Sequence, residues 1–161
     1  MVFNLGKHSS SQFNQEMEAI RSDLLRMGGL VEQQVSDALE SFLQADSALA
    51  QQVQQAEQEV DDLEKHIDEE CARVLALRQS AAIDLRTIIA ISKCVADLER
   101  MGDKAAKIAR LGIQLNEEGS LTIGQVEVRH LGERVKTMLH DALDAFARFD
   151  AHKAIAVAVA D

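Results

Sequence analysis

This sequence predicts an all-α fold of long antiparallel helices, and three observations carry the prediction. The 161 residues contain no Pro, Trp or Tyr, and a chain without Pro can run its helices uninterrupted. Aromatic residues make up only 3% of it, too few for several dozen residues of sheet. Apolar residues recur at steps of three and four along most of its length, the pattern of helices with one buried side. A chain this long can bury a real core without staples, with one domain as the default.

Residues 1–10 read as a lead-in, with Ser9, Ser10 and Ser11 available as helix caps. The stripe Phe13, Met17, Ile20, Leu24, Met27, Val31, Val35, Ala38 and Phe42 predicts a first helix of about thirty residues. Gly28-Gly29 falls inside it, and because the stripe stays in phase on both sides, the pair reads as a weak spot or a close helix contact. Asp46 is the expected cap of a second helix over Ser47–Leu77, cored by Val53, Val60, Leu63, Ile67, Cys71 and Val74. Its outer surface is acidic, mostly a solvated face, but Glu57 and Asp61 fall on the shoulder of the apolar stripe. Gln79-Ser80-Ala81-Ala82 reads as a turn, and a third helix runs from Ile83 to about Leu115.

After the loop at Asn116–Ser120 the chain repeats itself. A shift of 104 residues lays 27–57 on 131–161, pairing Gly28 with Gly132, Asp37-Ala38-Leu39 with Asp141-Ala142-Leu143, Phe42 with Phe146 and Asp46 with Asp150. The expected organisation is a three-helix unit over 1–118, followed by the start of a second over 119–161: one helix from about Thr122 to Phe149 and the first turns of another. The second unit reads as cut short. Ile155 and Val157 then lack the partners that would bury them, and such a chain is expected to dimerise, swap an element or fray.

A net charge of −10 argues against direct nucleic-acid binding, which needs an excess of Lys and Arg. There is no signal peptide at the N-terminus and no run of 18 apolar residues, so the expected location is cytoplasmic, with membrane association only through partners. Cys71 and Cys94 lie in apolar runs without CxxC spacing and read as buried free thiols. Arg86, Lys93, Arg100, Lys104 and Lys107 form a basic stripe on the third helix. Salt bridges to the acids of the second helix are the expected use of most of it, and a docking surface for an acidic partner or lipid head groups is the other reading.

The sharpest chemical signal is a pair of spaced acids on each of two helices: Glu57 and Asp61, then Glu99 and Asp103. On a helical wheel centred at Ser92, Leu85, Ile88, Val95 and Ala96 define an apolar stripe, and Glu99 and Asp103 fall about 20° to either side of its centre. Carboxylates four residues apart on one face repel, and burial worsens the repulsion. Packed 8–10 Å apart, two such helices can bring four hard oxygen donors to one place, a set suited to Mg²⁺, Ca²⁺, Mn²⁺, iron or, less selectively, Zn²⁺. Ion pairs with Arg21, Arg26 or another stray cation are the plain alternative. The sequence carries no nucleotide-binding, zinc-protease or nucleophile motif, and the ExxH spacing of di-metal bundle oxygenases is missing.

The segments Phe13-Asn14-Gln15-Glu16, Met27-Gly28-Gly29-Leu30-Val31-Glu32, Asp84-Leu85-Arg86 and Asp97-Leu98-Glu99-Arg100-Met101-Gly102-Asp103, with the run Leu139–Arg148, together resemble the PhoU family of phosphate-regulon regulatory proteins. The resemblance implies two similar three-helix bundles, usually dimeric, with metal held through paired E(D)xxxD motifs in each. Glu57 with Asp61 and Glu99 with Asp103 match the first pair, and Asp161 aligns with the opening acid of the second. It also implies a non-enzymatic adaptor between the ATPase subunit of a phosphate ABC transporter and a sensor histidine kinase, keeping starvation genes off when phosphate is ample. Ser80-Ala81 stands where the family commonly has Pro. A metal-dependent hydrolase or redox protein, and a structural bundle without metal, are the competing readings.

Overall fold

The computed structural model describes residues 5–77, 82–119 and 124–160 and is helical almost throughout. Its helices are α1 (Leu5–Gln44), α2 (Ser47–Leu77), α3 (Ala82–Glu117), α4 (Gln125–Arg148) and α5 (Ala151–Ala160). The expected all-α architecture is what the chain adopts. Helix α1 begins earlier than the apolar stripe does, so Ser9, Ser10 and Ser11 lie within it rather than capping it. The expected turn at 79–82 falls mostly outside the described residues.

Helices α1, α2 and α3 pack on one another as a three-helix bundle. Ile20, Leu24, Met27 and Val31 of α1 meet Val60, Ile67 and Val74 of α2 and Ile88, Ile91 and Val95 of α3, all essentially buried. Each such side chain contributes about 1.5–3 kcal/mol of transfer free energy. Toward the α1–α2 turn the core changes to small residues, Ala38, Ala50, Val53, Ala105 and Ala109. Gly112 faces the Phe42 backbone there, at 3.4 Å from a built Cβ.

The 104-residue repeat is present in the geometry as well as the sequence. Ala45 and Phe149 both take left-handed φ values, 57° and 54°. In both units an Asp caps the next helix: Asp46 accepts from the Ala48 and Leu49 amides at 2.9 and 3.0 Å, and Asp150 from the Lys153 amide at 3.0 Å. Helix α4 lies on α1 through a contact that is its own mirror under the repeat. Leu143 packs onto Gly28, and Leu39 packs onto Gly132. Both glycines therefore mark close contacts, whereas Gly29 faces open space.

Among the described residues helix α5 packs on α4 and on no other helix, with Ile155 62% and Val159 81% exposed. Among the described residues the backbones of α3 and α4 do not approach each other closely, and an apolar groove of about 650 Å³ runs between them over Val35, Leu39 and Phe42 of α1. Among the described residues no helix is long and apolar enough to cross a membrane.

Candidate functional site: the acidic seam between α2 and α3

The buried side of α3 is the series Ile88, Ile91, Val95, Leu98, Gly102, Ala105 and Ala109, at alternating steps of three and four. Its centre lies about 90° around the helix from Ser92. This corrects the expected phase, which leaned on Leu85 and Ala96; both are exposed. Glu99 and Asp103 are therefore not core residues. Glu99 is half-buried and Asp103 is exposed, and both stand on the shoulder of α3 that turns toward α2.

Helix α2 supplies the opposite bank. Its buried series Val60, Leu63, Ile67 fixes the rotation, and this leaves Glu57, Asp61 and Glu64 half-buried beside it. Because the two helices run antiparallel, Glu57 meets Asp103, Glu64 faces Glu99, and Asp68 accepts a hydrogen bond from the Ser92 hydroxyl at 3.0 Å. Asp61 sits between Glu57 and Glu64 and acts on both. The four expected acids thus lie along one seam.

The electrostatics follow from that crowding. The Glu57 carboxyl is pushed up by partial burial, by its hydrogen bond to Asp103 and by the charges of Asp103 and Asp61, against the opposing pull of Arg110. Glu64 is raised by burial first, and then by Glu99, Asp68 and Asp61. Both shifts follow from taking a carboxylate partly out of water beside other carboxylates. The donor set is all hard oxygen and fits a multivalent cation chemically, but among the described residues no three His, Cys, Asp or Glu side chains converge as a ready-made metal site.

Neither proposed neutralising arginine reaches the seam. Arg26 pairs with Glu59 at 2.8 Å. Arg21 pairs with Glu18, donates to the Ala147 carbonyl and lies 4.1 Å over the Phe149 ring, tying the start of α1 to the end of α4. The cation that does face the seam is Arg110. The sequence reading missed it, along with Glu64 and Asp68, which continue Glu57 and Asp61 at the same steps of three and four as the buried residues beside them. It also missed Gln34, 2% exposed under the seam. There Gln34 Nε2 donates to the Val53 carbonyl, while Oε1 has no partner among the described residues and lies 3.0 Å from where a Cβ on Gly102 would stand.

Two further expectations change. Cys71 is buried, its thiol pushed up to about 11 by desolvation, but Cys94 lies one residue off the core line and is exposed. The basic stripe of α3 does not pair with α2: Arg100 bonds to Asp97 of its own helix at 3.3 Å, and Arg86, Lys93, Lys104 and Lys107 make no ion pair among the described residues. The α2 acids they were expected to meet lie across the seam, and its α3 bank, Glu99 and Asp103, stands on average about 90° around the helix from these cations.

The fold and the seam define a class, that of a long-helix bundle protein with paired carboxylates on adjacent helices and no assembled catalytic constellation among the described residues. The comparisons specify the family. Residues 24–112 match the model of the PhoU domain. A Pseudomonas putida phosphate-specific transport system accessory protein PhoU homolog is 59% identical over 158 residues, spanning 98% of this chain and 62% of the relative. The crystal structure of PhoU from Pseudomonas aeruginosa superposes with a TM-score of 0.87 at 58% identity, covering 89% of this chain and 69% of that one. The phosphate transport system regulatory protein PhoU from Streptococcus pneumoniae gives 0.81 at 34% identity, over 91% and 68%. The chain belongs to the PhoU family. It spans less than two thirds of the length of the Pseudomonas relatives, 62% and 65%.

Proposed function

We propose that the chain serves in the control of phosphate uptake and of the phosphate-starvation response, as a non-enzymatic adaptor whose α2–α3 seam takes up a multivalent cation. The regulatory role is supported by membership of the family and by the accessory and regulatory names its relatives carry. The cation is supported by one observation: six acids line one seam, and the carboxyls of Glu57 and Glu64 are raised by burial and by their acidic neighbours. Iron, zinc, manganese and magnesium are the candidates. Glu57, Asp61, Glu99 and Asp103 would hold the ion. Its charge would relieve the repulsion between the two banks, drawing α2 and α3 together and coupling occupancy to the rigidity of the bundle. The partners in this reading are the ATPase subunit of a phosphate ABC transporter, a sensor histidine kinase and a second copy of the chain.

Elemental analysis of protein purified without chelator, with thermal unfolding in each metal, tests the cation. Metal at a concentration one hundred times its Kd should stabilise the fold by about 2.7 kcal/mol, and the gain should vanish in Glu99→Gln/Asp103→Asn. Unfolding that no divalent or ferric ion shifts would leave a structural bundle without metal. Co-purification with the transporter ATPase and the kinase tests the adaptor role separately.

A further inference from the structure

The outward face of α3 carries a ladder of cations with a regular step. Arg86, Lys93, Arg100 and Lys107 follow one another at intervals of seven residues, so they stand about 10.5 Å apart along a line of about 32 Å. All four are exposed, and all but Arg100 are without an ion pair among the described residues. Exposed Ile89 and Ala96 flank the ladder three residues after its first two rungs, and exposed Leu111 lies four after its last. In a chain of net charge −10, four exposed cations in register on a helix that spans the bundle, three of them without an ion pair among the described residues, are a concentrated exception.

We propose that this ladder is a docking surface for a partner helix bearing carboxylates at seven-residue spacing, laid lengthwise along α3. Two observations select a helix. A seven-residue repeat of charge beside small and aliphatic residues is how paired helices fix partner and register. The ladder is also only one helix wide, and the acids of the α2–α3 seam stand on its flank. A planar anionic membrane covering the ladder would bring its headgroups within a screening length of Glu99 and Asp103; a single helix reaches the cations and leaves the seam clear. A second copy of this chain fits less well. On α2 the exposed acids Asp62 and Glu69 keep the seven-residue step for only two positions, and Asp62 already lies near Lys65 at 3.9 Å. The inference does not depend on a cation in the seam.

The test uses the whole chain and two labelled Ala-rich helical peptides of equal composition and helicity, one with four Glu at seven-residue steps and one with the four at five-residue steps. Binding is read by fluorescence anisotropy at two salt concentrations. Because each exposed pair contributes only a few-fold, the seven-step peptide should bind about ten- to thirtyfold more tightly than the five-step one and should weaken in salt. Charge reversal in R86E/K93E/R100E/K107E should abolish the difference, with circular dichroism verifying the fold. If that variant does not fold, Lys93→Gln/Lys107→Gln should reduce the binding several-fold. Equal affinity for the two peptides would overturn the proposal, as would full binding by the reversed variant. Ladder-dependent capture by phosphatidylserine vesicles that exceeds peptide binding would assign the face to a membrane instead, and ladder-dependent self-association without peptide binding would assign it to a second copy.

Discussion

Gly132 and Gly29 are both glycines inside long helices, yet replacing each by alanine should have opposite consequences. Alanine in place of glycine in a helix interior stabilises by about 0.5–1 kcal/mol through backbone entropy alone. At Gly29 nothing lies within 4 Å of the new methyl, so Gly29→Ala should gain that amount in full. At Gly132 the methyl would stand 2.6 and 2.7 Å from the two Leu39 methyls and 3.1 Å from Leu39 Cγ. Turning Leu39 about its Cβ–Cγ bond moves its methyls but leaves Cγ in place, so relief requires a χ1 change or a shift of the α1–α4 contact itself. Overpacking of this kind costs about 1–3 kcal/mol. Gly132→Ala should therefore fall below Gly29→Ala by about that amount, a difference of a few degrees to about ten in Tm at 2–4 °C per kcal/mol. Urea unfolding followed by far-UV circular dichroism is the assay, since the chain has no Trp or Tyr to report fluorescence. In a Leu39→Ala background the penalty at Gly132 should disappear, giving a coupling of about 1–2 kcal/mol. Two glycine variants of equal stability would refute the close α1–α4 contact, and with it the internal two-fold relation between the units.

Two predictions concern protons. Glu57 and Glu64 have carboxyls raised by folding, so their contribution is fully present below their unfolded pKa and is lost as pH rises through the folded values. In chelator, Glu57→Gln should thus stabilise at neutral pH by about 0.5–1 kcal/mol through relief of like-charge contacts, and the gain should fade in acid; a gain equal at both ends of a pH series of unfolding curves would contradict the crowding. Asp144 runs the other way. Hydrogen bonds from Lys153 and Arg148 hold its carboxyl down from 3.8 to about 2, so its contribution is present above the unfolded value and lost as pH falls through about 2. Lys153 bonds to Asp141 and Asp144 at 2.7 and 2.9 Å and is the ionic clasp between α5 and α4. Lys153→Met should speed hydrogen exchange in α5 at neutral pH while leaving α1–α3 unchanged.

Helix placement was readable because the steps of three and four extend over many turns and the breaks at Asp46 and Asp150 carry their own caps. The repeat was readable for a related reason: glycine and leucine recur where one helix must pack on a copy of itself, so Gly28 with Leu143 and Gly132 with Leu39 leave matching traces 104 residues apart. Phase was harder. On α3 nearly every position near the stripe is Ala, Ile, Leu or Gly, and alanine occupies core and surface alike. Leu85 and Ala96 therefore drew the centre toward Ser92, while Gly102, Ala105 and Ala109, the residues that let α3 approach α1 and α2, carried too little hydrophobicity to correct it.

That rotation changes the physical basis of the seam without dispersing it. Fully buried acids would have needed a cation simply for the chain to fold. On the shoulder, Glu57 and Asp103 stay partly open to solvent with Arg110 nearby, and a cation of the kind proposed would compete with protons at the raised carboxyls of Glu57 and Glu64. Occupancy would then respond to both pH and metal concentration. The same rotation turns Arg86, Lys93, Arg100 and Lys107 away from the α2 acids and out to solvent. One turn of the wheel thus separates two surfaces the sequence had seemed to pair: an acidic seam facing inward along α2, and a cationic ladder free to meet a partner.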